Sequence, residues 1–376
     1  MTKTPLEPNL LQPFDMPTRL LLGPGPSTAD PRILKAMAAP LVGHLDPYFL
    51  QLMDRTQALL RYVFETENEL TLTVPGTGTA AMEAAVANLV EPGDPVLVCI
   101  HGFFGGRIAD MARRHGGQVE TITRPWGEAF DPSEIEAALK ARPANIVAIV
   151  HAETSTGVLQ PLDEIAKIVH AHGALLLVDA VTSLGGLPVR VDETGIDICY
   201  SGSQKCLSST PGASPITLGR RAVEKLERRR TPVTNWYLDL SLLRKYWGKD
   251  RAYHHTAPIS TQYAFYEALR IAAAEGLEAR WERHRKNAEL LWEGLEDLGL
   301  TLHAPRPIRL TTLTTVRVPS GVEEPKVRQR LLNEYNIEIG GGLGELKGKV
   351  WRIGLMGYSS RPENVLLLLA AFKKLL

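Results

Sequence analysis

The sequence contains few cysteines, no excess of either charge and no long apolar run, and each absence narrows the class of protein. Its three cysteines, Cys99, Cys199 and Cys206, form no CxxC pair among 376 residues, so neither a disulfide framework nor a zinc site is indicated. Lysine plus arginine equals aspartate plus glutamate at 42 each, and neither sign forms long runs. We therefore expect buried structural thiols, no bound metal, and neither nucleic acid nor an anionic membrane as a partner.

Apolar segments of membrane-spanning length are also missing. The first residues, Met1-Thr-Lys-Thr-Pro-Leu-Glu7, lack the apolar region of a signal peptide. No stretch reaches the roughly 18 apolar residues that a bilayer-spanning helix needs. The sequence thus predicts a soluble, cytoplasmic protein.

From about residue 70 to 220, short apolar runs alternate with helical patterns, which is typical of an α/β fold with a mainly parallel sheet covered by helices. A helix is expected to begin at the capping sequence Asp131-Pro-Ser-Glu134 and another to run from Leu162 to His172, before Gly173. The expected strands of this sheet are 71–74, 96–100, 119–122, 146–151, 174–179, 197–201 and 215–218.

The chain is longer than one core usually supports, so a large and a small domain are expected. After Gly276 the pattern changes to that of a small α+β domain. Its expected elements are helices at about 278–298, 324–335 and 362–375 and strands at 312–318 and 350–353. We therefore predict an N-terminal arm at 1–18 that lies on a second subunit, a large domain at 19–277 and a small C-terminal domain at 278–376.

Two charged residues that follow apolar runs are the most informative feature. Ala174-Leu-Leu-Leu-Val-Asp179 predicts a buried strand that ends in a carboxylate, and Ile196-Asp-Ile-Cys-Tyr200 leads through a small-residue segment to Lys205. Most such carboxylates cap helices and most such lysines are solvated. Together, however, the pair could hold both ends of pyridoxal phosphate, which needs an amine for a Schiff base and a carboxylate at its ring nitrogen.

A glycine turn, Pro75-Gly-Thr-Gly-Thr-Ala-Ala81, follows a predicted strand and opens an alanine-rich helix. Backbone N–H groups at such a helix start favour a phosphate. The same letters satisfy G-x-G-x-x-A, which would suit a dinucleotide. The next apolar run, Pro95 to His101, however, ends without the acidic residue that holds the ribose. A tight turn that binds nothing is the third interpretation.

Several stretches in one order resemble the class V, fold-type I aminotransferases, and within them the alanine–glyoxylate and serine–pyruvate enzymes. The resemblance covers nearly the whole chain. It is most specific at Leu22-Gly-Pro-Gly-Pro-Ser27, Thr154 to Pro161, Asp179 to Gly186, Tyr200 to Lys205, Tyr253-His-His-Thr256 and Trp351-Arg-Ile-Gly354. It implies pyridoxal 5'-phosphate as cofactor and a homodimer with shared active sites.

The resemblance also assigns roles to residues. Lys205 forms the Schiff base, Asp179 pairs with the pyridine nitrogen, and Val181 and Phe104 cover the two ring faces; many relatives carry tryptophan at the position of Phe104. The implied phosphate ligands are Thr77, Gly78, Thr79 and Gln204, with Tyr253 and Thr256 from the neighbouring subunit; relatives often carry histidine in place of Thr79. The implied substrate residues are Arg352 for the α-carboxylate, Ser155 near the cofactor's phenolic oxygen, and Gly25 in a loop that crowds the substrate side chain.

The expected reaction is ping-pong transamination from alanine or serine to glyoxylate or pyruvate. Close alternatives are (S)-ureidoglycine–glyoxylate and 2-aminoethylphosphonate–pyruvate transamination, which share the core. A NAD-dependent oxidoreductase is supported by the glycine turn alone. Desulfuration is disfavoured because no cysteine lies in a mobile segment. The roles of His44 and Cys206 stay open at this stage.

Overall fold

The computed structural model describes residues 7–376; residues 1–6 of the expected arm lie outside this range. Its strands are β1 Leu20–Leu21, β2 Leu70–Pro75, β3 Pro95–Ile100, β4 Gln118–Thr123, β5 Ile146–Val150, β6 Ala152–Glu153, β7 Val158–Leu159, β8 Leu175–Asp179, β9 Ile198–Tyr200, β10 Ala213–Leu218, β11 Leu313–Arg317, β12 Ile337–Glu338, β13 Gly340–Gly341 and β14 Val350–Gly354. Its α-helices are α1 Pro31–Met37, α2 Pro47–Phe64, α3 Gly78–Leu89, α4 Phe103–Arg114, α5 Pro132–Ala141, α6 Asp163–Ala171, α7 Val191–Thr194, α8 Arg220–Glu227, α9 Leu240–Trp247, α10 Ile259–Glu275, α11 Leu277–Asp297, α12 Glu324–Tyr335 and α13 Pro362–Leu375.

A seven-stranded sheet forms the centre of the segment predicted as the large domain, in the order β2-β10-β9-β8-β5-β3-β4. Strand β10 runs antiparallel to both of its neighbours, and the other pairs are parallel. All seven strands predicted from the apolar runs are confirmed, which confirms the mainly parallel α/β architecture. The prediction succeeded because inner strands such as β5 and β8 are buried along their whole length and must therefore be apolar on both faces.

Side chains that alternate along each strand supply two separate cores. On β5, Ile146 and Ala148 pack on one face with residues of α3 and α4. Val147 and Ile149 pack on the other face with residues of α5 and α6. Because both faces are covered by helices, the open positions around the sheet are its strand ends.

The predicted helix signals have their expected geometry. The Asp131 carboxylate accepts a hydrogen bond from the Ser133 N–H at 2.9 Å, and Glu134 accepts from the Asp131 N–H at 2.8 Å, which completes a capping box at α5. Helix α6 ends at Ala171, and Gly173 adopts a φ of +75°. A residue with a side chain rarely adopts this left-handed conformation, so the glycine ends the helix there.

The C-terminal part packs α11, α12 and α13 against a three-stranded antiparallel sheet in the order β11-β14-β13. Its helices and strands lie where the sequence predicted them. One contact was not predicted: β1 pairs in parallel with β12, and Leu22 joins the core of this part. We propose that the domain boundary lies at Gly276, where α10 ends and α11 begins.

Within residues 7–376 there is no helix with both the length and the hydropathy for crossing a bilayer.

Candidate active site

One cavity opens at the C-terminal edge of the seven-stranded sheet and collects most of the predicted site residues. It is lined by the turn between β2 and α3, by one side of α4, and by the ends of β5 and β8 with the segments that follow them. The lining residues are Thr77, Gly78, Thr79, Met82, Phe104, Arg107, Val150, Ala152, Thr154, Asp179, Val181, Thr182, Gln204 and Lys205. Eight of these were predicted, so distant motifs meet at one place.

Asp179 is the last residue of β8 and is buried. Its Oδ1 accepts a hydrogen bond from the Val181 N–H at 2.9 Å, and its Oδ2 accepts from the Tyr200 hydroxyl at 3.0 Å. Burial raises the pKa of Asp179 to about 6, against the opposing effect of these two hydrogen bonds. Because burial disfavours the ionised form of Asp179, a cation that binds beside it in the cavity would stabilise that form.

Lys205 follows β9 and faces the same cavity. Burial, reinforced by the positive charge of Arg352, lowers the pKa of its ammonium group to about 8. Its Nζ donates a hydrogen bond to the Pro24 carbonyl. A substantial fraction of this amine is therefore neutral near physiological pH and can act as a nucleophile.

This lowered pKa predicts how the rate of imine formation between Lys205 and added pyridoxal phosphate, the cofactor that the resemblance implies, depends on pH. Only the neutral amine attacks an aldehyde, so the capture rate should rise with pH, reach half its maximum near pH 8, and be about one-tenth of its maximum at pH 7. Stopped-flow absorbance of the imine band measures the rate, with Lys205→Ala as the control that captures nothing. A midpoint near the ordinary lysine pKa of about 10.4 would contradict the assignment.

Gly25 lies directly against Lys205. Its φ is +101°, and a Cβ placed on it would lie 2.5 Å from Cδ and 2.7 Å from Nζ of the lysine. The sequence predicted a glycine that crowds the substrate side chain. In the structure Gly25 contacts the lysine side chain, and its positive φ disfavours any residue with a side chain.

The glycine turn gives α3 an open N-terminus at the cavity. Gly76 has a φ of +131°, and Thr77 is the N-cap residue, but its hydroxyl makes no capping hydrogen bond. A Cβ at Gly78 would lie 3.2 Å from Val181 Cγ2, so this position needs a small residue. Gln204 adds a buried Oε1 without a partner among the described residues. The unpaired N–H groups of this helix end and the Thr77 hydroxyl can donate to an anion, whereas Gln204 Oε1 can only accept.

Glu153 is a buried carboxylate that the sequence reasoning missed. Its Oε1 accepts from the N–H and the hydroxyl of Ser155 at 3.0 and 2.6 Å, and its Oε2 accepts from the Phe104 N–H at 3.1 Å. The Ser155 hydroxyl in turn accepts from the Phe103 N–H at 2.9 Å. One carboxylate therefore connects Ser155 to the helix that carries Phe104. The sequence feature that could have pointed to Glu153 is its position, two residues after the apolar run 146–151.

Arg352 lies on β14 in the C-terminal part of the chain and reaches toward the cavity. Its Nε donates to the Gly341 carbonyl at 2.7 Å and its Nη1 to the Thr154 carbonyl at 3.2 Å, and Thr154 lines the cavity. The residue is 6% exposed, and burial lowers its pKa to about 10. The guanidinium is buried and bonded to carbonyl groups, so it is not part of a surface ion pair. It keeps further N–H donors for an anionic ligand.

Tyr253 and Thr256 are not among the residues that line the cavity in this chain. Tyr253 is 61% exposed, and its ring lies 5.1 Å from that of His44. Cys206 is buried, burial raises the pKa of its thiol to about 12, and its Sγ donates to the Thr182 carbonyl at 3.2 Å. The three thiols are buried, as expected from the sequence.

The residues of the cavity fit pyridoxal phosphate. A buried amine, a buried carboxylate and an open helix N-terminus face one space, which provides a partner for each of the three polar ends of that molecule. The lining residues Val181 and Phe104 are apolar and suit the faces of a ring. A dinucleotide would be expected to need an acidic residue at the end of β3, and this strand ends in Ile100.

Comparison with known proteins agrees with this geometry. The model of the family described as aminotransferase class-V matches residues 28–361. An alanine–glyoxylate aminotransferase of Rattus norvegicus is 44% identical over 359 residues, which cover 94% of this chain and 87% of the relative. An (S)-ureidoglycine–glyoxylate transaminase of Bacillus subtilis is 40% identical over 96% of this chain and 91% of its own. The solved alanine–glyoxylate aminotransferase of Nostoc sp. is 58% identical, with a TM-score of 0.96 over 99% of this chain and 100% of its own.

Proposed function

This chain belongs to the class-V aminotransferase family, and on that premise we propose that it transfers the amino group of alanine or serine to glyoxylate or pyruvate by a ping-pong mechanism. The observation that carries the proposal is the meeting of Asp179 and Lys205 in one cavity, with Arg352 beside it. The amine, the acid and the carboxylate-binding cation required for transamination are thus in reach of one another.

The proposed cofactor is pyridoxal 5'-phosphate. When bound, it supplies an aldehyde that captures amines and a pyridine ring that withdraws electrons from the carbon next to the amine. Lys205 would hold the cofactor through its Nζ. The same Nζ, when free, would take the proton from the α-carbon of the substrate, so one residue would serve as nucleophile and general base.

The other cavity residues orient the ring and set its charge. Asp179 holds a proton on the ring nitrogen, because a close anion favours the charged form of its partner. Val181 and Phe104, which line the cavity, would cover the two faces of the ring. Ser155 is oriented by Glu153 and is proposed to act near the substrate. Thr77, Gly78, Thr79 and Gln204 bind the phosphate at the N-terminus of α3.

Arg352 binds the substrate α-carboxylate through a planar, two-pronged ion pair. Replacing it by alanine should lower kcat/KM for alanine by an amount equivalent to about 2–5 kcal/mol, the cost of removing one partner of a buried charge pair. Steady-state kinetics measure this loss. Alaninamide, which lacks the carboxylate, is the matched control substrate and should lose far less. Equal losses for the two donors would contradict the assignment.

A second copy of the chain completes the proposed site. The described part of the arm exposes Leu10, Leu11, Phe14 and Met16, with Phe14 87% exposed, and Tyr253 and Thr256 lie outside the cavity of their own chain. Exposed apolar side chains of this kind mark an interaction surface. We infer that the apolar side chains of the arm pack on the partner subunit. We also infer that Tyr253 and Thr256 of each chain reach the phosphate site of the other chain. Analytical ultracentrifugation of the full chain measures the oligomeric state.

The similarity to the Bacillus subtilis protein favours a second candidate donor, (S)-ureidoglycine. The experiment that separates the candidates is a screen of alanine, serine, ureidoglycine and 2-aminoethylphosphonate against glyoxylate and pyruvate. The purified protein should be yellow, lose its colour with an active donor and regain it with the acceptor. A colourless protein that binds NAD would overturn the proposal in favour of an oxidoreductase.

A further inference from the structure

Arg107 is a charged residue of the cavity to which the sequence analysis assigned no role. Among the residues that line the cavity within the described chain, three are charged: Asp179, Lys205 and Arg107. Under the proposed function Asp179 serves the ring nitrogen and Lys205 serves the aldehyde. The phosphate ligands contributed by this chain, Thr77, Gly78, Thr79 and Gln204, are all neutral, although the phosphate carries a charge of about −1.5 to −2 at neutral pH.

The position of Arg107 suits this uncompensated charge. It lies one turn into α4, and its Nη1 donates to the Thr79 hydroxyl at 3.1 Å, at the N-terminus of α3. Its guanidinium carbon lies 4.9 Å from the centre of the Phe104 ring and 5.4 Å from that of Phe103. The cation is therefore held between the helix end that faces the phosphate and the ring that covers the cofactor.

The Arg107 side chain also has N–H donors left to bind an anion. A guanidinium has five N–H donors in a planar fork, and the hydrogen bond described above goes to a hydroxyl rather than to a carboxylate. The other basic residues of α4, Arg113 and Arg114, do not line the cavity. Arg114 pairs with Asp110 at 2.9 Å, and Arg113 is exposed in the last turn. Arg107 is thus the member of this helix that can meet a phosphate in the cavity.

We propose that Arg107 is the cation that neutralises the phosphate group of the bound cofactor, and that Phe104 and Thr79 hold its guanidinium in place for this purpose. This inference rests on the proposed function. It also gives Thr79 a definite part, because the Thr79 hydroxyl accepts from Arg107 and can donate its own hydrogen to the phosphate. Together with the open end of α3, the two side chains form a positively charged site for the phosphate.

The test compares pyridoxal phosphate with pyridoxal, which lacks the phosphate, on the full chain after its cofactor has been removed. Arg107→Met should weaken the Kd for pyridoxal phosphate about 10- to 100-fold, the usual loss for a hydrogen bond to a charged group. The Kd for pyridoxal should change less than about threefold. Absorbance of the Schiff base measures both values. Arg107→Lys should recover part of the affinity for pyridoxal phosphate, because the positive charge remains.

Arg113→Met is the matched control on the same helix and should leave both Kd values unchanged. Circular dichroism and thermal unfolding check that each variant is folded; if Arg107→Met does not fold, Arg107→Gln and Arg107→Lys carry the comparison. Equal losses for the two ligands, or no loss for either, would overturn the inference. If the wild-type chain itself forms no Schiff base with pyridoxal phosphate, the proposed function fails instead.

Discussion

Replacing Lys205 by alanine is expected to abolish steady-state transamination. The side chain is proposed to act both as the nucleophile that holds the aldehyde and as the base that moves the α-proton, and general acid–base catalysis alone contributes up to about 10⁴-fold. We therefore expect kcat to fall by at least about 10⁴-fold, or about 5.5 kcal/mol in activation free energy. Coupled assays of pyruvate formation from alanine and glyoxylate measure the loss.

Two controls test whether the neutral amine of Lys205 is needed for activity. Arginine keeps the positive charge but, with a pKa above about 12, supplies no neutral amine, so Lys205→Arg should be as inactive as the alanine variant. Added methylamine should restore part of the activity of Lys205→Ala, because it can enter the space left by the side chain. Residual turnover near the wild-type rate in either variant would refute the role assigned to this lysine.

Asp179→Asn is expected to cause the second largest loss. A neutral amide cannot hold a proton on the ring nitrogen by charge, and loss of a comparable preorganised electrostatic interaction costs about 10²- to 10³-fold in kcat. The amide oxygen can still accept from the Val181 N–H, and the amide nitrogen can donate to the Tyr200 hydroxyl, so the fold should survive. Pre-steady-state absorbance measures proton transfer directly, and an unchanged rate would remove Asp179 from the mechanism.

The same substitution should stabilise the protein when no cofactor is bound. The pKa of Asp179 is raised from 3.8 to about 6 in the folded state, so its favourable contribution is present below pH 3.8 and is lost as the pH rises through 6. At pH 7.5 ionisation therefore opposes folding by up to about 3 kcal/mol, at 1.36 kcal/mol per pKa unit. Denaturant unfolding of cofactor-free Asp179→Asn should show this gain at pH 7.5 and little of it at pH 3.5. A gain of the same size at both pH values would point to a cause other than this carboxylate.

The sequence predicted the buried strands well because a strand covered on both faces must be apolar along its whole length. The runs ending at Asp179 and Tyr200 became β8 and β9, and the carboxylate lies at the strand end as expected. Most parallel strands of such a sheet end at the same edge, so residues that follow different runs meet in one cavity. This is why Asp179, Lys205 and the turn at Gly78 could be placed together without coordinates.

Other features depend on contacts between distant segments and leave no local pattern. The pairing of β1 with β12 joins two short strands more than 300 positions apart. Glu153 gained its role from the hydrogen bonds it accepts from Ser155 and Phe104. Gly25 lies against Lys205 because the segment after β1 folds back over the lysine.

The α/β class, the positions of the seven strands and the strand ends that bring Asp179 and Lys205 to one cavity could be predicted from the sequence, because burial and turn geometry restrict residue types locally. Only the tertiary structure decided the pKa values of Asp179 and Lys205, the burial of Arg352 and the placement of Arg107 between Phe104 and Thr79. These properties depend on which groups are close in space and how far water is excluded, and neither is determined by neighbours along the chain.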